Sequence, residues 1–134
     1  MFTYTLGGLV SVTRPWEILE TTEYAAWFAR LTEKQQSAIR ERVVQLEDHG
    51  PLLNRPLADR VSSSRHHNMK ELRISSSGAI RILFAFDDAR RAVLLLGGIK
   101  SEENKWNAWY AESVPRADEI MDRHLGEMRR RHGN

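Results

Sequence analysis

From Trp16 to Glu20 polar and apolar residues alternate, the period of a strand with one buried face. The period then changes. Tyr24, Trp27, Phe28 and Leu31 recur at spacings of three, four and seven, which predicts a helix over 23–31 with one apolar face. Thr21 and Thr22 offer its N-cap, and Glu23 suits its first turn. Thr32-Glu33-Lys34-Gln35 matches a capping box and opens a second helix to about His49. Ile39, Val43 and Leu46 form its stripe, with Val44 beside it. Gly50-Pro51 stops it, because Gly accepts a left-handed cap and Pro cannot continue the helix. The two helices form a hairpin.

Residues 50–68 contain Pro51, Pro56 and the run Ser62-Ser63-Ser64. They read as a long loop with a short helical turn over 57–61, and loops of this length in a compact domain are often functional. Three strands follow. The first is Met69–Ser75, with Leu72 and Ile74 on one face. The second is Ala79–Phe86, with Ile80, Ile82, Phe84 and Phe86 on one face and Arg81, Leu83 and Ala85 on the other. The third is Arg91–Gly97, whose run Ala92-Val93-Leu94-Leu95-Leu96 is apolar on both faces and so central in its sheet. The turns are Ser75–Gly78 and Asp87–Arg90, and Gly97-Gly98 ends the last strand. From Lys105 to about Arg131 the pattern is helical in two pieces, with a break at Pro115. Ala117, Ile120, Met121, His124, Leu125 and Met128 give the second piece its apolar stripe.

The expected fold is α+β, a helical hairpin packed on a small antiparallel β-sheet with a C-terminal helix. Residues 1–15 read as a leader or flexible arm, 16–126 as the domain, and 127–134 as a frayed basic tail. No apolar run is long enough for a bilayer, so no membrane partner is expected. The chain has no cysteine, which excludes disulfides, thiol catalysis and Cys-based zinc sites and suits a reducing cytoplasmic compartment.

The formal net charge of +2 is small, but it is unevenly placed. Residues 65–100 hold seven Lys/Arg against three Asp/Glu, an electrostatic footprint for a polyanion. Alternation sharpens this. If Ile80, Ile82 and Phe84 face the core, Arg81 faces away, and Arg73 faces away from Leu72 and Ile74. Pairing through the Ser75–Gly78 turn then puts Arg73 and Arg81 on one exposed face. Lys70 opens the first of these strands and Lys100 follows the third. The plainer reading makes each a surface ion pair with Glu71, Asp87, Asp88 or Glu102.

Such a cluster suits phosphodiester transesterification. Arg matches phosphate oxygens in a bidentate fork, and a Lys among other cations can serve as acid or base. The scheme calls for no metal or other cofactor. His66 and His67 are candidates for the acid/base or for RNA contacts. Their adjacency lacks the i, i+4 spacing of a helical metal site. His49, His124 and His132 read as structural or incidental. Trp109 and Tyr110, close to Trp106, could stack on bases, although their spacing equally suits anchoring of the last helix.

Three ordered blocks carry a family resemblance: Arg65-His66-His67-Asn68-Met69-Lys70-Glu71-Leu72-Arg73, Arg81–Asp87, and Arg90-Arg91-Ala92-Val93-Leu94-Leu95-Leu96-Gly97-Gly98-Ile99-Lys100. With Trp109-Tyr110 and 120–125, they resemble the HigB-type, phage-derived-like branch of the RelE/ParE toxin superfamily over about residues 16–126. The resemblance implies a toxin encoded beside a helix-turn-helix antitoxin, with a helical hairpin on a small antiparallel sheet. It also implies a ribosome-dependent, metal-independent endoribonuclease that cleaves mRNA and inhibits translation. The matching positions are Arg73, Arg81 and Lys100, with Lys70 and His66/His67 as weaker carry-overs. This chain departs from relatives that place a catalytic His or Tyr near the last strand, since it has Gly97-Gly98-Ile99-Lys100 there. The alternatives on the same fold are a ParE-like gyrase poison and an inactive antitoxin-binding co-repressor.

Overall fold

The computed structural model describes residues 16–100 and 105–132, together with the backbone of two N-terminal strands. These strands, β1 (Phe2–Thr5) and β2 (Gly8–Ser11), pair as an antiparallel hairpin within the segment read as a leader. The body begins with β3 (Glu17–Glu20), α1 (Thr22–Ala29) and α2 (Glu33–His49). Thr21 caps α1 by accepting from the Tyr24 N–H, while its hydroxyl donates to the Leu94 carbonyl at 2.8 Å and so fixes the helix to the sheet. Both bonds of the Thr32/Gln35 capping box form. Gly50 ends α2 at φ +53°, and the Trp16 indole occupies the space a Cβ would need.

The remaining elements are β4 (Ala58–Arg60), β5 (Met69–Ile74), β6 (Ile80–Phe86), β7 (Arg91–Ile99) and α3 (Trp106–His132). The five-stranded sheet has the order β3-β7-β6-β5-β4. Its pairs are antiparallel except β3 with β7. The whole helical hairpin and three strands separate those two in sequence, ample chain for a parallel return.

The sheet is a middle layer. Tyr24, Trp27, Ile39 and Leu46 of the hairpin pack on Leu72, Ile74, Ile80, Ile82 and Phe84. On the other face Trp109, Val114, Ala117, Ile120 and Met121 of α3 pack on Met69, Leu83, Ala85, Val93 and Leu95. Apolar burial on both faces explains the unbroken hydrophobic run in β7.

Four expectations are corrected. Residues 57–61 hold strand β4 instead of a helical turn: Ala58, Asp59 and Arg60 pair with Leu72, Glu71 and Lys70 and cover the β5 edge. The stretch after Lys105 is one continuous helix, with Pro115 inside it. An interior Pro costs about 3 kcal/mol. Buried Trp109 and Val114 before it, and Ala117, Ile120 and Met121 after it, offset this at about 1.5–3 kcal/mol per large apolar side chain. The helix also carries the basic residues read as a frayed tail, up to His132. Finally, Gly97-Gly98 does not end β7, which continues to Ile99. The two glycines make room for indoles from opposite layers. A Cβ on Gly97 would lie 2.3 Å from the Trp27 ring, and one on Gly98 would lie 2.5 Å from Trp109 Nε1.

Candidate functional site

Pleat and register place the strand cations. On β5, Leu72 and Ile74 join the hairpin-side core and Met69 joins the α3-side core. Glu71 and Arg73 therefore lie on the α3 side and Lys70 on the hairpin side. On β6, Leu83 and Ala85 take the α3 side, and Arg81 shares it. Arg73 and Arg81 are direct register partners, and Arg81 also pairs with Gly98 of β7. The two arginines thus share one face, but that face is not open. The first turns of α3 lie over it and bring Trp106 and Tyr110 to the arginines.

The two arginines are held differently. Arg73 is enclosed by acids: Nε donates to Glu71 Oε2 at 2.9 Å, and Nη2 contacts Asp59 Oδ2 at 3.2 Å. Asp59 also takes Arg55 Nε at 2.9 Å. Partial burial would raise the Asp59 carboxyl, yet Arg55, the Arg60 N–H and Arg73 hold it below the usual carboxylate range. Glu71 is buried and accepts a further hydrogen bond from the Tyr110 hydroxyl. Burial, reinforced by Glu71, pushes the Tyr110 phenol up to about 12, while Arg81 pulls the other way. Arg81 lies over the Trp106 ring, 5.4 Å from its centroid, and donates to the Ile80 carbonyl. Among the described residues it forms no ion pair. Lys100 is exposed, and its N–H is fixed to the Ala79 carbonyl at 2.9 Å. Ile99 packs on the hairpin side, so continued alternation puts Lys100 on the Arg81 side.

What results is a small polar site at the margin of the α3 layer. It has one guanidinium on an indole, a phenol held protonated, and a Lys at the rim. An unpaired Arg offers a fork to phosphate oxygens. A phenol with a raised pKa stays protonated at neutral pH and is a weak acid that gives its proton only to a strongly basic oxygen.

Several expected site residues lie elsewhere. Lys70 belongs to the other face. Its ammonium donates to the Pro51 and Leu53 carbonyls and Asn54 Oδ1 at 2.6–3.1 Å, and burial lowers its pKa. His66 is bound to Asp122 of α3 through Nε2 at 2.8 Å. The same loop is held by Ser64 and Arg65 on buried Asp118. His67 is exposed on the hairpin side beside Lys70. Trp109 is buried against Gly98 and the core, so it anchors α3. His124 bonds the buried Asp87 carboxylate at 2.9 Å, a structural role. The sequence reading missed Glu71 as the hub of the site, although it shares the parity of Arg73. It also missed Trp106 as the platform for Arg81, which no local pattern signals.

The phage-derived Gp49-like family (DUF891) matches residues 26–122. The chain is 43% identical over 105 residues to HigB2 of Mycobacterium tuberculosis, which is named as a toxin, covering 77% of this chain and 51% of that protein. It is 46% identical over 99 residues to HigB3 of the same organism, also named as a toxin, covering 74% of this chain and 84% of that protein. The chain thus spans about half the length of the first relative and most of the second. Among solved structures, the E. coli toxin RelE in the free state, with two arginines replaced by alanine, superposes with a TM-score of 0.55. The match covers 76% of this chain and 97% of that one at 12% identity, a likeness of fold.

Proposed function

The chain belongs to the phage-derived Gp49-like, HigB-type family, and from that premise we propose that it is the toxin of a toxin–antitoxin pair and acts as a ribosome-dependent, metal-independent mRNA endoribonuclease. The observation that carries this reading is Arg81, poised on Trp106 without an ion-pair partner among the described residues and close enough to Tyr110 to influence its titration. In the proposed reaction Arg81 holds the non-bridging oxygens of the scissile phosphate. The RNA 2′-oxygen attacks phosphorus and its proton leaves to water, while the Lys100 ammonium at the rim neutralises charge developing on the phosphate. The bond from phosphorus to the 5′-oxygen breaks, and that oxygen takes the Tyr110 proton. Arg81 favours the resulting phenolate against the neighbouring Glu71 carboxylate, and water returns the proton to Tyr110. The products are a 2′,3′-cyclic phosphate and a 5′-hydroxyl. Arg73 acts at one remove: it neutralises Glu71, which orients Tyr110. A helix-turn-helix antitoxin is the proposed protein partner, and the cytoplasm the proposed compartment.

Purified ribosomes programmed with mRNA test this. The parent chain is expected to cut in the presence of EDTA and to leave cyclic phosphate ends, and Arg81→Ala is expected to lose cutting. Growth arrest with intact mRNA and damaged DNA would overturn it in favour of gyrase poisoning.

A further inference from the structure

A second recess lies on the opposite face of the sheet, outside the Arg81 site. Its volume is about 240 Å³, somewhat below the ~300–1,000 Å³ of sites for drug-sized ligands and suited to a single flat ring. Pro51 and Phe86 give it apolar walls. Asn54 and Asn68 supply its amides, and their orientations are fixed. Asn54 Oδ1 accepts from Lys70 at 3.0 Å, and Asn68 Nδ2 donates to the Phe86 carbonyl at 2.7 Å. The other end of each amide, a donor on Asn54 and an acceptor on Asn68, makes no hydrogen bond among the described residues. A donor and an acceptor above an apolar floor match the edge of a nucleobase.

The rim offers a guanidinium and an imidazole. Arg60 and His67 line it, both exposed and without an ion pair among the described residues. Lys70 adds its charge from below with all three ammonium donors already engaged, and among the described residues no carboxylate lines the recess. An acidic peptide would also meet Arg60 and Lys70, but its acidic side chains bring no flat ring to fill the recess between Pro51 and Phe86. A base with its phosphate uses all three features.

We propose that this recess binds an unpaired nucleobase of an RNA strand, with the adjoining phosphate on Arg60 and His67, and so reads sequence at a distance from the point of cleavage. The inference rests on RNA as the substrate. Lys70 and Arg73 are three residues apart on β5, about 10 Å, on opposite faces. Strand β4 spans that edge, with Asp59 toward Arg73 and Arg60 paired with Lys70. An RNA strand leaving Arg81 would cross β5 and β4, about 10 Å at the usual strand spacing, and turn the sheet edge to reach the recess.

The test uses the full chain carrying Arg81→Ala, which leaves the recess untouched, and follows side-chain amide signals by NMR during titration with AMP, GMP, CMP and UMP. The expected result is saturable shifts of the Asn54 and Asn68 amides, at least about fivefold tighter for one nucleotide than for the weakest. Arg60→Gln with His67→Ala is expected to weaken binding about five- to tenfold at unchanged Tm. The proposal is overturned if no nucleotide moves these amides, if the double variant binds as tightly, or if only an octaglutamate peptide moves them. Nucleotide binding here together with intact mRNA in the ribosome assay would keep the recess and remove the endonuclease reading.

Discussion

Arg73 and Arg81 face each other across β5 and β6, yet their surroundings assign them different work. Arg81 sits on an indole with its fork turned to no acid among the described residues. Arg81→Ala is therefore expected to lower mRNA cleavage by about 100-fold or more, the scale of a lost transition-state donor, while Tm moves by no more than about 2 °C. Arg73 neutralises buried Glu71. Arg73→Ala leaves that carboxylate with only Tyr110, so urea denaturation should show a loss of about 1–3 kcal/mol. Adding Glu71→Gln should restore part of it. Alternation along the strands was enough to place Arg73 and Arg81 on one face. The same alternation assigns Lys70 to the face of Leu72 and Ile74, so its exclusion from the site was also legible. Tyr110 was legible only as a base-stacking candidate and Trp106 not as a platform for Arg81, because only the docking of α3 brings them over the strands.

At the scale of elements, α1 and α3 lie on opposite faces of the sheet but are tied at their margins. Arg123 holds Glu23 through two bonds of 2.8 Å. That hydrogen bonding, working against partial burial, lowers the Glu23 carboxyl to about 2. A carboxylate with a depressed folded-state pKa adds stability above its unfolded value and loses it as pH falls through the folded value. The pair should therefore stabilise fully above about pH 4.5 and fade toward pH 2. Because Arg123 is half-exposed, solvent screening limits the pair to about 1 kcal/mol or less. Denaturation of Glu23→Gln should show that deficit at pH 7, a smaller one in high salt, and none near pH 2. The glycine pair makes a second demand. Gly98→Ala drives a methyl into Trp109 and should cost about 1–3 kcal/mol or more. Helices, strands and caps were legible because period and capping are local. The three-residue β4, the passage of α3 through Pro115 and the extension of β7 were not, since pairing with β5 and packing between layers decide them.

At the scale of the molecule, the question is which cations an RNA strand meets as free charge. The net charge is +2, and many basic groups already have partners: Arg55, Arg65, Arg73, Arg91 and Arg123 touch carboxylates, and Lys70 is enclosed by oxygen acceptors. The basic excess over residues 65–100 therefore exceeds the field that reaches solvent. Within that stretch Arg81 and Lys100 have no carboxylate partner among the described residues. Binding to single-stranded RNA releases about 0.7 counterion for each phosphate neutralised. The slope of log K against log salt consequently reports how many charges reach the strand. Affinity for a cleavage-resistant 2′-O-methyl RNA, measured between 50 and 200 mM salt, is expected to lose about 0.7 of slope with Lys100→Ala and about the same with Arg81→Ala. Arg73→Ala should change the slope little, because the charge it removes is already balanced by Glu71 and Asp59. An equal loss of slope from Arg73→Ala would mean that RNA displaces those carboxylates, and Arg73 would then belong with the residues that touch the phosphate.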